Sequence, residues 1–510
     1  MPENKSDSSI LSSIFLRNNK FYDITNHTCL RSGYRLNGKS ERFVYLIDTN
    51  EYLLLNKGLL LFGDNYGTLL LFQEKNNNCS VISGSYKRGN TILVENKNIS
   101  QLINTVIDKR ALLLKNKLIV RTSRYVKKNN YAGDKTQNRL TFDLMVNTIH
   151  LSQERNIFLK FVTVESNLKD RLELPLKELC NNKLNQNHIV SGLSALIRSC
   201  QSFVRINQLY SSDIENKENK DLILVFKEIV VRLLNLIEIN IDGAVSDIDI
   251  EFMHDLRVGA RKLRSLIKLF GVYSGLTLTD DITVFLKMIG RKTNKQRDLD
   301  VFIVDWLDFM KTLPDDQKEL SNKFIDYLKT MRNKAHRQSA RFLDSIRYYL
   351  TEMADNINKT GFQNVVDRDQ SQIIVNDIIG SHRSDICNKG TMLNDQSTDA
   401  EFHSLRIICK EIRYSTDYFG YLIDNEQKKE ITTKGKKLQT LLGSYNDYSV
   451  QSVLAEKYFS KWLISAASDD YTKYSNLLTA FIEDTKNNKK RIRPLIFEEI
   501  SGLCLGHRRF

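Results

Sequence analysis

Proline is nearly missing from this chain: there are four in 510 residues, and beyond residue 210 only Pro314 and Pro494. So few interruptions of the backbone donor series suit long helices. Cysteine is sparse too, with seven residues at 29, 79, 180, 200, 387, 409 and 504 and no CxxC pair. That spacing argues against a zinc knuckle, and the expectation is reduced, mostly buried thiols in a cytosolic protein. No stretch reaches the roughly 20 apolar residues of a membrane span. The opening "MPENKSDSSILSSIFLRNN" also lacks the basic segment and apolar core of a secretory leader. These absences predict a cytoplasmic protein with no membrane partner.

What the chain has instead is positive charge. Lys and Arg outnumber Asp and Glu by 75 to 61, a net charge of +14 that favours an acidic partner such as nucleic acid, an anionic surface or a phosphate polymer. Hydrophobic residues make up 41%, enough for packed cores, and the length favours two or three domains.

The two halves follow different periods. Residues 40–210 hold short β-favouring runs such as "RFVYLID", "GTLLLFQE" and "LTFDLMV", separated by Asn, Gly and Lys clusters, which predicts an antiparallel sheet or barrel. Residues 1–39 form an extension able to supply a degenerate first strand. The polar run "SSDIENKENKD" (211–221) reads as a linker, and from 222 the apolar period becomes helical. A second polar tract, 380–400, reads as a linker between helical regions 222–379 and 401–510. The fold class is thus α+β multidomain, a β domain followed by an all-α region.

Within the helical half the sequence repeats itself. A shift of 149 positions sets "HDLRVGARKLRSLIKLFG" (254–271) over "HSLRIICKEIRYSTDYFG" (403–420) without a gap. His254 meets His403, Arg257 meets Arg406, Arg261 meets Lys410 and Arg264 meets Arg413. The same shift pairs Arg297-Asp298 with Asn446-Asp447, 43 residues beyond each histidine. At about 100° per residue, the His and the three basic positions occupy an arc of about 80° on one helix face. Leu256, Leu263, Leu266, Ile267 and Phe270 fall mainly on the other. Like charges stacked a turn apart repel, so the stripe calls for a polyanion. Arginine's planar fork suits phosphate oxygens, and a histidine on the stripe can add charge in acid. The alternative for each histidine is a satisfied core or capping group. Asp298, Asn446 and Asp447 fit a supporting role, capping a helix or orienting a groove arginine.

The doubled H-x-x-R-x-x-x-[RK]-x-x-R pattern, with its distal "RDLDV" or "LGSYND", resembles the CHAD family, the conserved histidine α-helical domain. The likeness covers 222–510 and includes "KAHRQSARFLDSIRYYL" (334–350). It implies two pseudo-symmetric helical bundles enclosing a basic groove that binds inorganic polyphosphate, in solution or on polyphosphate granules. The lining it implies is His254, Arg257, Arg261, Arg264, Lys268, Arg297, His403, Arg406, Lys410 and Arg413. The chain departs from the pattern at Thr293-Asn294, which stand in place of "LG", and at Asp417, which stands where repeat one has Lys268.

"YLIDTNEYLLLNKGLLLFGD" (45–64) is similar to a stretch of the CYTH family of triphosphate tunnel metalloenzymes. That likeness implies a tunnel of eight strands in which Arg and Lys hold triphosphate and alternating glutamates hold Mg²⁺ or Mn²⁺, since every second strand residue faces the lumen. The catalytic set is mostly absent. The ExExK motif is replaced by "SSILSSIFL", Phe62 and Asp64 occupy arginine positions, and Phe158 and Lys160 stand where glutamates are expected, leaving Glu165. Arg121, Arg124 and Lys115 stay as phosphate candidates. The expectation is non-catalytic polyphosphate binding with no catalytic residue, resident metal or cofactor. A metal-dependent triphosphatase or polyphosphatase is the alternative, and Mg or Mn matters only in that case. Nucleic acid is the least favoured partner, because no aromatics interleave with the stripe.

Overall fold

A computed structural model describes residues 9–16, 35–64, 66–75, 78–89, 91–108, 110–129, 140–152, 157–164, 208–212, 214, 220–274, 279–359, 367–466 and 471–505. The chain divides into two compact units, 1–207 and 208–510.

Among the described residues of the first unit, aliphatic runs pair into one antiparallel, barrel-like sheet of nine strands. They are β1 (Ser9–Leu16), β2 (Arg35–Asp48), β3 (Leu59–Asp64), β4 (Thr68–Lys75), β5 (Asn78–Arg88), β6 (Ile92–Val94), β7 (Leu113–Asn129), β8 (Leu140–Ser152) and β9 (Ile157–Val164). Their order is β1-β9-β8-β7-β2-β3-β4-β5-β6. The "SSILSSIFL" segment supplies β1, with Ser13 opposite Phe161 of β9. Helix α2 (Lys97–Ile107) presents Ile99, Ile103 and Ile107, one turn apart, to Ile47, Leu61, Leu69 and Leu71 of the sheet. The Asp-Thr of "YLIDT" has a structural task. Asp48 accepts backbone N–H bonds from Thr49 (2.7 Å), Leu54 and Leu55 (both 2.9 Å), capping the one-turn helix α1 (Leu53–Asn56). Burial pushes its carboxyl up to about 7 despite those bonds.

The second unit is helical, and the 149-residue shift organises it. Repeat one holds α3 (Leu222–Ile239), the short α4 (Ile241–Val245), α5 (Ile250–Ser274), α6 (Thr279–Met310) and α7 (Asp315–Lys359). Repeat two holds α8 (Arg368–Met392), α9 (Asp399–Phe419), α10 (Asn425–Glu430), α11 (Lys436–Ala466) and α12 (Tyr471–Leu505), with a π-turn at Ile431–Gly435 entering α11. Equivalent residues meet across the repeats. The Leu222 N–H donates to Ser371 Oγ (3.4 Å), and the Phe270 and Phe419 rings lie 4.3 Å apart. A shared aromatic core joins Phe302, Trp306 and Phe324 to Phe459, Trp462 and Phe481, and the indole N–H of Trp306 is satisfied by Ser321 Oγ at 2.7 Å.

Two expectations are corrected. The tract 380–400, expected as a linker, is helical as far as Met392. Its buried stripe is Ser371, Val375, Ile379, Arg383, Ile386 and Gly390, so polar residues occupy core positions and mask the helical period. Arg383 is admitted there because it donates to Glu430 (2.8 Å) and to the Leu503 carbonyl (3.3 Å). Second, the cysteines are not all thiols: Cys387 and Cys504 form a disulfide linking α8 to α12, whereas Cys409 is free and buried. The two helices come close beside it, since a Cβ on Gly390 would lie 2.6 Å from the Ile500 side chain. Spacing alone could not show this pairing, because 117 residues separate the two sulfurs in sequence.

Candidate functional site

The two stripe helices, α5 and α9, lie in equivalent places. Helix α9 starts at a capping box, with the Thr398 N–H donating to Glu401 at 2.7 Å. Leu256, Leu263 and Phe270 of α5 and Leu405, Ile412 and Phe419 of α9 are buried, which turns the His/Arg faces toward a common space. There the helical unit has a cavity of about 430 Å³. From repeat one it is lined by His254, Arg257, Arg261, Asn294, Arg297 and Asp298, and from repeat two by His403, Arg406, Asn446 and Asp447. Val301, Phe302, Val450, Gln451 and Leu454 complete the lining.

Of the expected lining, Arg264, Lys268, Lys410 and Arg413 fall outside this cavity. Lys268 pairs instead with the buried Glu411 at 2.9 Å, and His382 Nε2 reaches the same carboxylate at 3.1 Å. Arg413 lies 3.6 Å from Asp417, the residue that takes Lys268's place in repeat two. Lys410 is half-buried beside the cavity. Burial, then Arg261 and Arg406, push its ammonium down to about 7. Sequence reasoning missed Asn294, Val301, Phe302, Val450, Gln451 and Leu454. Continuing the α6 face from Asp298 by three and four residues would have reached Val301 and Phe302, and the repeat then gives Val450 and Gln451.

Inside the cavity the distal element orients the histidines. Arg297 Nη2 donates to His254 Nδ1 at 2.8 Å; because a guanidinium only donates, the His254 ring accepts there and carries its proton on Nε2. In repeat two His403 Nδ1 donates to Asn446 Oδ1 at 2.6 Å, and the Asn446 amide nitrogen donates to Asp447 at 3.3 Å, which fixes the amide's orientation. Arg257 donates to the Gly290 carbonyl and Thr293 Oγ1, both at 2.7 Å, and to Asn294 Oδ1 at 2.8 Å. Burial, then the neighbouring Arg261, bring its guanidinium down to about 10. Arg297 and Arg406 are also lowered, chiefly by burial. Burial raises Asp298, against the pull of Arg257. The Nε groups of Arg261 and Arg406 are buried with no hydrogen-bond partner.

Residues 228–456 match the family model described as the CHAD domain. The helical unit carries a CHAD domain. The crystal structure of the CHAD domain from the plant Ricinus communis aligns at 20% identity over 55% of this chain and 92% of that one, with a TM-score of 0.42. PptA from Streptomyces chartreusis aligns at 10% identity over 56% of this chain and all of its own, with a TM-score of 0.43. No curated protein matches the chain significantly. The CHAD match spans both stripe helices and both distal elements.

The β unit offers less. Its barrel-like sheet is consistent with a CYTH-like domain. Lys115 lies 4.7 Å over the Tyr52 ring and donates to the Asn50 carbonyl and Oδ1, both at 3.4 Å, so a local role already accounts for it. The Arg121, Arg124, Phe158 and Lys160 side chains, and all of Glu165, lie outside the described residues. Among the described residues no group of three His, Cys, Asp or Glu side chains is arranged to hold a metal ion. β9 itself brings a phenylalanine and a lysine, not glutamates, at 158 and 160. Those two positions offer no carboxylate oxygen, the ligand type that Mg²⁺ and Mn²⁺ take. Among the described residues no helix is long and apolar enough to cross a membrane.

Proposed function

We propose that this protein binds inorganic polyphosphate without turning it over, with the chain seated in the cavity between the two CHAD repeats. The observation that carries the reading is the meeting of Arg257, Arg261, Arg297 and Arg406, from both repeats, around one cavity where two buried Nε donors await acceptors. Four fixed cations outweigh the two lining aspartates, and guanidinium forks match phosphate oxygens in geometry. A linear phosphate polymer engages several such groups at once, so individually modest contacts add. The β unit serves as a scaffold or interaction module.

The test is a titration of the purified chain with tripolyphosphate, long-chain polyphosphate and duplex DNA at one salt concentration, with phosphate release followed in parallel in Mg²⁺ and Mn²⁺. Polyphosphate is expected to bind more tightly than DNA, with no turnover. Sustained metal-dependent phosphate release would establish the triphosphatase reading instead. We place the protein in the cytoplasm, in association with polyphosphate granules. Cytosolic thiols are mostly kept reduced, so the Cys387–Cys504 bond bears directly on that placement. Alkylation and mass spectrometry of the chain taken from cells reads it, and a persistently oxidised pair would move the protein to an oxidising compartment.

A further inference from the structure

The cavity opens beside a basic row that none of the expected site residues includes. On α6, residues 282–297 read "ITVFLKMIGRKTNKQR", with no carboxylate between Asp281 and Asp298. Lys287, Arg291 and Lys295 fall four residues apart and are all exposed. At about 100° per residue they share an arc of about 80°, and Asn294 and Asp298, which line the cavity, fall on or beside that arc. The row therefore runs along the helix face that becomes the cavity wall one turn later.

Helix α5 adds to it. Arg257 bonds Asn294 and His254 bonds Arg297, which sets an antiparallel register between α5 and α6. Continued two turns, that register brings the exposed Arg264 level with Lys287. Arg264 lies outside the cavity, so the expected stripe and the α6 row run out of the site along neighbouring helices. Among the described residues none of Lys287, Arg291, Lys295 or Arg264 takes part in an ion pair. The row is one-sided. The 149-residue shift carries Lys287, Arg291 and Lys295 to Lys436, Thr440 and Ser444, so repeat two keeps one charge of three.

We infer that this row is an exit track, along which a phosphate polymer too long for the cavity continues over repeat one and not over repeat two. The inference rests on the polyphosphate reading and adds to it a source of chain-length preference and a direction. A tripolyphosphate occupies the cavity alone, whereas a long chain gains three or four further contacts without a second entropic cost of association. The row has the features of a polymer track: unpaired exposed cations, no intervening acid, and continuity with buried arginines. It lacks interleaved aromatics, which single-stranded nucleic acid would use for stacking.

The test compares the wild-type chain with a Lys287→Gln/Arg291→Gln/Lys295→Gln variant, whose exposed glutamines keep helix propensity. Each is titrated with tripolyphosphate, long-chain polyphosphate and duplex DNA. The expected result is at least about tenfold weaker long-chain binding with tripolyphosphate affinity unchanged, and a shallower salt dependence for the long chain alone. A matching triple change at Lys436, Thr440 and Ser444 to glutamine is expected to leave both affinities within twofold. Equal losses for short and long chains, or no loss for either, would overturn the track while leaving the cavity reading intact. Loss confined to DNA would make the row a nucleic-acid surface and overturn it as well. A wild-type chain that binds neither polyphosphate would bring down the cavity reading and the track together.

Discussion

In repeat one, Arg257 is held by three acceptors on α6; in repeat two its counterpart Arg406 has, among the described residues, Asp447 at 3.9 Å. The cause is visible in the sequence. Thr293 and Asn294 supply two of the three acceptors, and the equivalent positions in repeat two are Leu442 and Gly443, which have no side-chain acceptor to offer. The departure from the family pattern is thus a device for fixing one arginine. The same contrast recurs at the histidines, where an arginine donates to His254 and an asparagine accepts from His403. Repeat one pre-orders Arg257 and repeat two leaves Arg406 adaptable. Duplication supplied the charge, and divergence set how firmly each copy is held.

The staple reverses the contrast. Repeat two carries Cys387–Cys504, while the equivalent positions of repeat one are Glu238 and Asp355, and Glu238 accepts from Thr351 at 3.1 Å instead. Closing a loop of 117 residues contributes on the order of 5 kcal/mol in the chain-entropy account. A reductant is therefore expected to lower the urea midpoint of the helical unit strongly, with no further effect on a Cys387→Ser/Cys504→Ser variant. Equal midpoints with and without reductant would show that the bond adds nothing to stability.

Removing one arginine from each copy gives the next largest effect. Charge-assisted hydrogen bonds are worth about 1.5–3 kcal/mol each, so Arg257→Ala with Arg406→Ala is expected to weaken polyphosphate binding on the order of a hundredfold or more. Unchanged affinity by isothermal calorimetry would remove both from the site.

Lys410 breaks the symmetry by pH. Burial and the neighbouring Arg261 bring Lys410 down to about 7 from its ordinary 10.5. Between those values the folded chain binds fewer protons than the unfolded one, so this group makes the free protein more stable as pH rises from 7 to 10.5. Polyanion affinity is expected to move the other way, falling severalfold as pH rises through 7, with proton uptake on binding near that pH. Calorimetry in buffers of different ionisation enthalpy measures the uptake. Lys410→Arg is expected to flatten the profile, and a retained pH step in that variant would assign the titration elsewhere.

The helices and the repeat were legible because their signals are periodic, and His254 and His403 announced both bundles; that Arg297 and Asn446 orient those histidines was not, since the distal pairs read as groove lining and as support for an arginine. Helix α8 was not legible, because Arg383 and Ser371 stand on its buried face and only their distant partners explain them. The exclusion of Lys268 from the cavity was equally hidden. Its partner Glu411 lies 143 residues away, on the face of α9 that a stripe of basic residues draws attention from. Sequence periodicity reports which face a residue occupies; it does not report which long-range partner claims it.

The smallest expected effect comes from loosening Arg257. Thr293→Val keeps side-chain bulk and Asn294→Ala keeps helix propensity on α6, and together they remove two of the guanidinium's three acceptors; the Gly290 carbonyl remains. Ordering a freed arginine on binding costs about 0.5–1.5 kcal/mol, and donors released from Thr293 and Asn294 partly offset this by turning to phosphate. The net expectation is a two- to fivefold loss of polyphosphate affinity, roughly 0.4–1 kcal/mol. The loss should appear mainly as faster dissociation. The reciprocal change, Leu442→Thr with Gly443→Asn, gives Arg406 the acceptors that Arg257 has and is expected to tighten binding by a similar factor. Tighter binding in the first variant would mean that the three acceptors compete with phosphate rather than prepare for it. Repeat two would then be the stronger half of the site because its arginine is left unclaimed.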